Sequence, residues 1–299
     1  MFKKISIIGC GLIGSSILRV IIKKKITKNI HVYDKSEKVL NFIKRIRLPV
    51  KVSNNVKEIV KNSDLIILAI PLSSYDKVLF TIKNNLKANA ILTDTGSAKK
   101  GINKIIKKYK LKKISWIASH PIAGTEDSGP KAGSSKLFEK RWCIISPSPN
   151  SRQSDISKVT KFWKLIGSKV KIMSFEKHDH ILSLTSHLPH AIAYSIVRTA
   201  VNSNQKLKKD IIQYSAGGLR DFTRIAASDP LMWKDIFIDN SDNILKVLDN
   251  YSKNLKEIKN AIKNKDSKKL LEIFSSTKKV RKKIIEAGQD TEKPGFGRK

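Results

Sequence analysis

Cysteine is almost missing from this chain. Two occur among 299 residues, Cys10 in a glycine loop and Cys143 in an apolar run. Thiols placed like this form neither a disulfide framework nor a metal-binding spacing, and a reducing cytoplasm is the expected setting. Long apolar runs are missing too: none approaches the roughly 18–20 residues of a membrane span, so no membrane partner is expected. The opening MFKKISIIGCG passes straight into a strand pattern without a small-residue cleavage site, so no secretory signal is expected. Acidic residues are scarce, 25 against 60 Lys+Arg, which leaves a formal net charge of +35. Such a balance suits nucleic-acid phosphates. The lysines, however, are spread over nearly every helical stretch (KKKITK, KKYKLKK, KNAIKNKDSKK, STKKVRKK), with no aromatic interleaving and no zinc-finger or RNP pattern. They read as solvated helix faces, and no nucleic-acid partner is expected. A positive field of this size also draws anionic substrates.

What the chain does have is length and alternation. Hydrophobic residues make up 40%, enough for two ordinary domains with their own cores. Up to about residue 175, short apolar runs alternate with amphipathic stretches. KKISIIG, NIHVYD, SDLIILAIP, NAILTD, ISWIAS, RWCIIS and KVKIMSF read as strands, while SSILRVIIKKK and GINKIIKKYK carry helical spacing. That alternation predicts an α/β domain over 1–175, a doubly wound, mostly parallel sheet of the Rossmann type. From about His178 onward the period is helical throughout, which predicts an all-helical domain over 176–299. Its apolar-striped helices are expected to pack against a second subunit. The last dozen residues, GQDTEKPGFGRK, read as disordered, and no regulatory domain is expected after residue 299.

The first strand runs into Gly9-Cys10-Gly11-Leu12-Ile13-Gly14, a complete G-x-G-x-x-G at the start of a helix. In such a motif the first glycine makes the tight turn and the second lets the backbone approach a pyrophosphate. The third allows close packing of helix on strand, with the helix N-terminus facing the negative charge. Asp34, twenty positions past Gly14 at the end of the second strand, is placed to accept hydrogen bonds from a ribose. Its carboxylate favours NAD over NADP, although Lys35 and Lys38 nearby pull the other way. A glycine turn with no cofactor is the plainer reading of the same residues.

In an open parallel sheet, ligands gather at the carboxyl ends of the strands. Three polar segments leave such ends: AIPLSS, with Ile70 and Pro71 beside the cofactor; DTGSAKKG, with Ser97; and SHPIAGTEDSG, with His120. Ser97 and His120 are therefore expected near each other, where a neutral histidine takes a proton from a hydroxyl as hydride leaves the same carbon. A structural histidine after a strand is the alternative.

In this order, GCGLIGSS, DTGSAK, SHPIAGTEDSG, HDHILSLTSHLPHAIA and GGLRDFTRIAASDPLMW resemble the prephenate/arogenate dehydrogenase family of tyrosine biosynthesis, over about residues 5–240. The resemblance implies oxidative decarboxylation of a cyclohexadienol, with the two-domain layout of 6-phosphogluconate dehydrogenase and a homodimer joined through the helical domain. It implies His120 as the catalytic histidine and Ser97 as its serine partner. Ser186, His187 and His190 of SHLPH are implied to line the substrate pocket, and Arg224 to pair with a substrate carboxylate. Arg220 is a plausible second cation. Trp233 resembles a tryptophan that reaches the neighbouring subunit's site. Thr125 and Glu126 are expected to close the mouth of the site. His178 and His180, at the domain junction, read as structural. No Glu-x-x-His motif or cysteine cluster completes a metal site around His187 and His190, and no metal is expected.

Two other readings stay open. A β-hydroxyacid dehydrogenase of the 6-phosphogluconate type shares the layout, but relies on a lysine of the second domain where this chain offers SHLPH and GGLRDFTR. An NAD-sensing or nucleic-acid-binding protein could retain the first domain, though it has no need of Ser97, His120 and Arg224 together.

Overall fold

The strands of the computed structural model carry residues apolar on both faces, as a sheet covered by helices on each side requires. The structure describes residues 2–111, 113–125, 127–202 and 207–287. Eight strands lie in the order β3-β2-β1-β4-β5-β6-β7-β8. They are β1 (Lys4–Ile8), β2 (Asn29–Tyr33), β3 (Lys51–Ser53), β4 (Leu65–Leu68), β5 (Ile91–Asp94), β6 (Ser115–Pro121), β7 (Trp142–Pro147) and β8 (Lys169–Ile172). All pairs are parallel except β6 with β7, where the chain doubles back after its long polar loop. In β1, Ile5 and Ile7 join one core and Ile8 the other; in β4, Leu65 and Ile67 face the first and Ile66 and Leu68 the second. The sheet and its helices agree with the expected doubly wound α/β domain.

The strand order turns at β1 and β4, so a crevice opens between their carboxyl ends. The glycine loop leaves β1 there. The third strand, β3, is a three-residue edge element that the alternation pattern did not reveal.

After β8 every described element is a helix. The first, Phe175–Leu182, is capped by Ser174, whose side chain accepts the Lys177 N–H. It runs through a wide π turn, Ser183–His187, into helix Leu188–Asn202. Pro189 explains the wide turn: it offers no N–H, and its ring crowds the preceding turn, so an ordinary α ladder cannot pass through this point. Helix Gly217–Ala226 packs against Leu188–Asn202. Helix Pro230–Asp239, capped by Asp229 with proline in its first turn, docks on the β4 loop, where the Ser73 N–H donates to Asp235 Oδ2 at 2.9 Å. Helices Ser241–Lys263 and Ser267–Glu286 complete the domain. Residues 288–299, read above as disordered, lie outside the described residues. No helix among the described residues is long and apolar enough to cross a membrane.

Candidate active site

One cavity of about 580 Å³ lies between the β1/β4 crevice and the helical domain. Its sheet side is lined by Gly11, Leu12, Ile13, Ile70, Pro71, Ser97, His120 and Thr125, and its helical side by Ser186, His190, Arg224, Met232 and Trp233.

The cradle on the sheet side is built from missing side chains. Gly9 has φ +91°, and a Cβ there would run into the Ala69 carbonyl; one at Gly14 would run into the Gly9 carbonyl. Gly11 caps helix Leu12–Lys23 without a side-chain hydrogen bond, and no acidic residue stands in the first turn. The first helical N–H groups are thus left for an anion, and these residues fit a dinucleotide. Gly9 and Gly14 shape the turn from behind rather than lining the cavity. Asp34 sits behind it as well: its Oδ2 accepts the Cys10 N–H at 2.7 Å and its Oδ1 the Ser36 N–H at 2.9 Å. The carboxylate braces the glycine loop, and each oxygen keeps a second lone pair for a ribose.

The floor is a buried polar lattice. Asp94, at the end of β5, pairs with Lys99 at 2.6 Å, both side chains wholly buried. Asp94 also accepts the N–H groups of Gly96 and Ser119 at 2.9 Å each, and Lys99 donates to the Ser119 carbonyl at 2.6 Å. The two strand ends carrying Ser97 and His120 are thereby held together, as a buried charge pair needs if its desolvation is to be offset. Ser97 lines the cavity with His120, yet the hydrogen-bond partner found for His120 is another histidine, His178, with Nδ1 to Nε2 at 2.8 Å. His178 in turn meets Asp179 Oδ1 at 2.7 Å. His178, read from the sequence as structural, therefore contacts the candidate base. Burial is the main force holding the His120 pKa well below the ordinary histidine value, and His178, Lys99 and His187 act in the same direction. The ring is neutral at pH 7 and able to accept a proton.

On the helical side, the π turn presents Ser186 to the cavity, while His187 is packed behind the cavity wall. His187 is wholly buried, its Nδ1 takes a hydrogen bond from Asn240 at 3.1 Å, and it does not line the cavity. The expectation that it lines the pocket is corrected to a place behind the wall: His187 meets Trp233 edge-on with centroids 6.1 Å apart, so it shares a face with His190, which packs on the same ring, but it does not reach the cavity. His190 donates from Nδ1 to the Ser186 carbonyl at 2.9 Å and stacks on Trp233 with ring centroids 3.5 Å apart. Trp233 belongs to this chain's own cavity and is buried. Arg224 lines the cavity, and its buried Nε has no hydrogen-bond partner among the described residues. Arg220, one turn earlier on the same helix, is exposed and does not reach the cavity, so the expected second cation is not brought there. Glu126 lies outside the described residues. No metal-binding cluster occurs among the described residues.

Asp94, Lys99, His178, Asp179 and Asn240 were missed as site residues. Lys99 could have been suspected as part of DTGSAKK and the His-Asp pair as part of HDH, but nothing in the spacing says that they meet.

Fold and cavity define a class, two-domain nucleotide-dependent oxidoreductases whose crevice is closed by a helical domain. The family model described as the nucleotide-binding domain of prephenate dehydrogenase matches residues 18–172, and the model of its dimerization domain matches residues 174–276. A cyclohexadienyl dehydrogenase from Zymomonas mobilis is 38% identical over 94% of this chain and 96% of its own length. A prephenate dehydrogenase from Lactococcus lactis is 32% identical over 93% of this chain and 77% of its own. The crystal structure of the A. aeolicus prephenate dehydrogenase, in complex with hydroxyphenyl propionate and NAD+, aligns with a TM-score of 0.87 at 28% identity, covering 95% of this chain and 99% of that one. The chain belongs to the prephenate dehydrogenase family.

Proposed function

We propose that the protein oxidatively decarboxylates prephenate to 4-hydroxyphenylpyruvate with NAD, in tyrosine biosynthesis, and that arogenate is its second substrate. The single observation that carries the residue assignment is the cavity itself. It brings a neutral histidine, a glycine cradle for a dinucleotide and an arginine whose buried Nε has no partner among the described residues to one cavity. The A. aeolicus relative was crystallised with NAD+, and the carboxylate of Asp34 disfavours the 2′-phosphate of NADP.

When bound in the glycine cradle, NAD supplies a hydride acceptor. The chain does the rest. Arg224 pairs with a substrate carboxylate and, with Ser186, His190 and Trp233, holds the ring in one orientation. Ser97 lies beside the reacting hydroxyl. His120 takes the hydroxyl proton as the hydride departs from the same carbon. As the ring carboxylate leaves as CO2, the electrons of the broken C–C bond aromatise the ring and flow to the oxygen, and His120 returns the proton to give the phenol. Thr125 lines the cavity on the sheet side. Family membership sets aside the β-hydroxyacid dehydrogenase reading.

The test is absorbance at 340 nm with NAD and either prephenate or arogenate. Turnover is expected with prephenate, with a smaller kcat/KM for arogenate and for NADP. His120→Asn is expected to lower kcat by a factor of about 10²–10⁴ while NAD affinity stays near the parent's. Absence of turnover with both substrates rejects the function. Loss of NAD binding in the variant makes the histidine structural.

We further read the protein as a cytoplasmic homodimer joined through the helical domain. Its two thiols are free and buried, which suits a reducing compartment. The second family model is that of a dimerization domain, and large apolar side chains stand exposed along the helices it covers.

A further inference from the structure

We propose that His178 and Asp179 are positioning residues that fix which nitrogen of His120 is the base; the inference deepens the dehydrogenase reading and rests on it. Both oxygens of Asp179 accept backbone N–H groups, Oδ1 from Lys99 at 2.9 Å and Oδ2 from Lys100 at 2.8 Å. The carboxyl therefore faces its neighbours as an acceptor. Its contact with His178 at 2.7 Å is then a hydrogen bond donated by His178 Nδ1. A neutral His178 with its proton on Nδ1 has a bare Nε2, and this atom lies 2.8 Å from His120 Nδ1. His120 must donate there, so its own proton sits on Nδ1 and Nε2 is left as the acceptor. His120 lines the cavity, and none of the described hydrogen bonds uses Nε2. One carboxylate thus sets two tautomers in series, the logic by which a buried aspartate orients the histidine of a hydrolytic triad.

The geometry makes the arrangement hard to reverse. The side chains of His178 and Asp179 are wholly buried, so water cannot replace a lost partner. Asn240 donates to the Asp179 carbonyl at 2.8 Å and fixes that residue's backbone. The backbone donors at Lys99 and Lys100 belong to the segment that carries Ser97. The same carboxylate therefore joins the serine loop of the α/β domain to the first helix of the helical domain. The proton-accepting nitrogen and the serine hydroxyl are set by one anchor, which is what a site needs if substrate and base must meet within a few tenths of an ångström.

The test combines spectroscopy with kinetics on the full chain. In the unsubstituted, 15N-labelled protein without substrate, imidazole 15N shifts are expected to show His120 and His178 both protonated at Nδ1 and bare at Nε2. A protonated Nε2 on His120 overturns the proposal, whatever the enzyme turns over. In steady-state assays, His178→Leu is expected to lower kcat about 100-fold, with KM for prephenate and NAD affinity within about threefold of the parent. His178→Gln, whose amide oxygen reaches the place of Nε2 and can accept from His120 Nδ1, is expected to recover at least about tenfold of that loss. A leucine variant with nearly parental kcat, or a glutamine variant no better than leucine, overturns the proposal. If the leucine variant does not fold, the tautomers of the unsubstituted protein decide alone. An unsubstituted protein inactive on prephenate and arogenate rejects the dehydrogenase reading instead and leaves the tautomer result standing.

Discussion

Arg224 states most plainly what a single residue is asked to do. Its buried Nε has no hydrogen-bond partner among the described residues, and a buried donor left in that condition costs stability unless a ligand satisfies it. A dianionic substrate supplies the acceptor, and a planar guanidinium holds a carboxylate at a fixed angle, which an ammonium does not. Arg224→Ala is expected to raise KM for prephenate by about 10- to 100-fold, the worth of a charge-assisted hydrogen bond in a desolvated pocket. NAD affinity should not change, because the glycine cradle lies on the other wall. An unchanged KM removes Arg224 from the site. At this scale the sequence was legible where function and motif coincide: Ser97, His120, Thr125, Ser186, His190, Arg224 and Trp233 all meet at one cavity. It was not legible for His178, whose partner His120 stands 58 positions away. A lone histidine is defined by its neighbours, and only the packing of helix Phe175–Leu182 against the β6 end supplies them.

Elements explain both the successes and the errors of position. The glycine loop was readable because its constraint is local. Gly9 needs φ +91°, a conformation L side chains rarely adopt, and its missing Cβ makes room for the Ala69 carbonyl of the neighbouring strand. Gly9→Ala is expected to destabilise the fold by about 2 kcal/mol or more, since backbone strain and a carbonyl overlap act together. It should also weaken NAD binding at temperatures where the protein remains folded. Calorimetry and a cofactor titration check both, and an alanine variant with parental stability shows that the loop can relax. His187 was misread at the same scale. Its spacing from His190 does give a common face, since both rings meet Trp233, but a shared face does not say which ring reaches the cavity and which is buried behind it. The short strand β3 was missed because three half-exposed residues on a sheet edge leave no alternation to detect.

At the scale of the molecule, two properties follow from what is buried and what is left out. Leu231, Ile238, Leu245, Leu255, Ile262, Leu271 and Phe274 stand exposed on the helices of the second domain, an apolar surface that a lone subunit seldom leaves wet. Sedimentation at micromolar concentration is expected to give twice the 33.7 kDa chain mass, and a monomer removes the homodimer. The second property is acid sensitivity. His120, His178 and His187 are all depressed below their ordinary value by burial, His187 to about 4. The unfolded chain binds protons at these rings near pH 6.5 and the folded chain does not until much lower. Their stabilisation is therefore present above about pH 6.5 and lost as pH falls toward 4, on the order of 3 kcal/mol for His187 alone. Asp239 acts in the opposite sense. Burial raises it to about 6, so the folded form takes up a proton first as pH falls. The carboxylates paired at the surface sit below their ordinary range and enter only at lower pH. His31, lowered to about 4, and His190 shift in the same sense as the three rings, so between pH 5 and 6 unfolding should take up protons net and stability should rise with pH. Urea unfolding at fixed protein concentration measures that slope. A flat profile over this range would mean that these rings are not held neutral in the folded chain, and with them would go the case for His120 as a neutral base at pH 7.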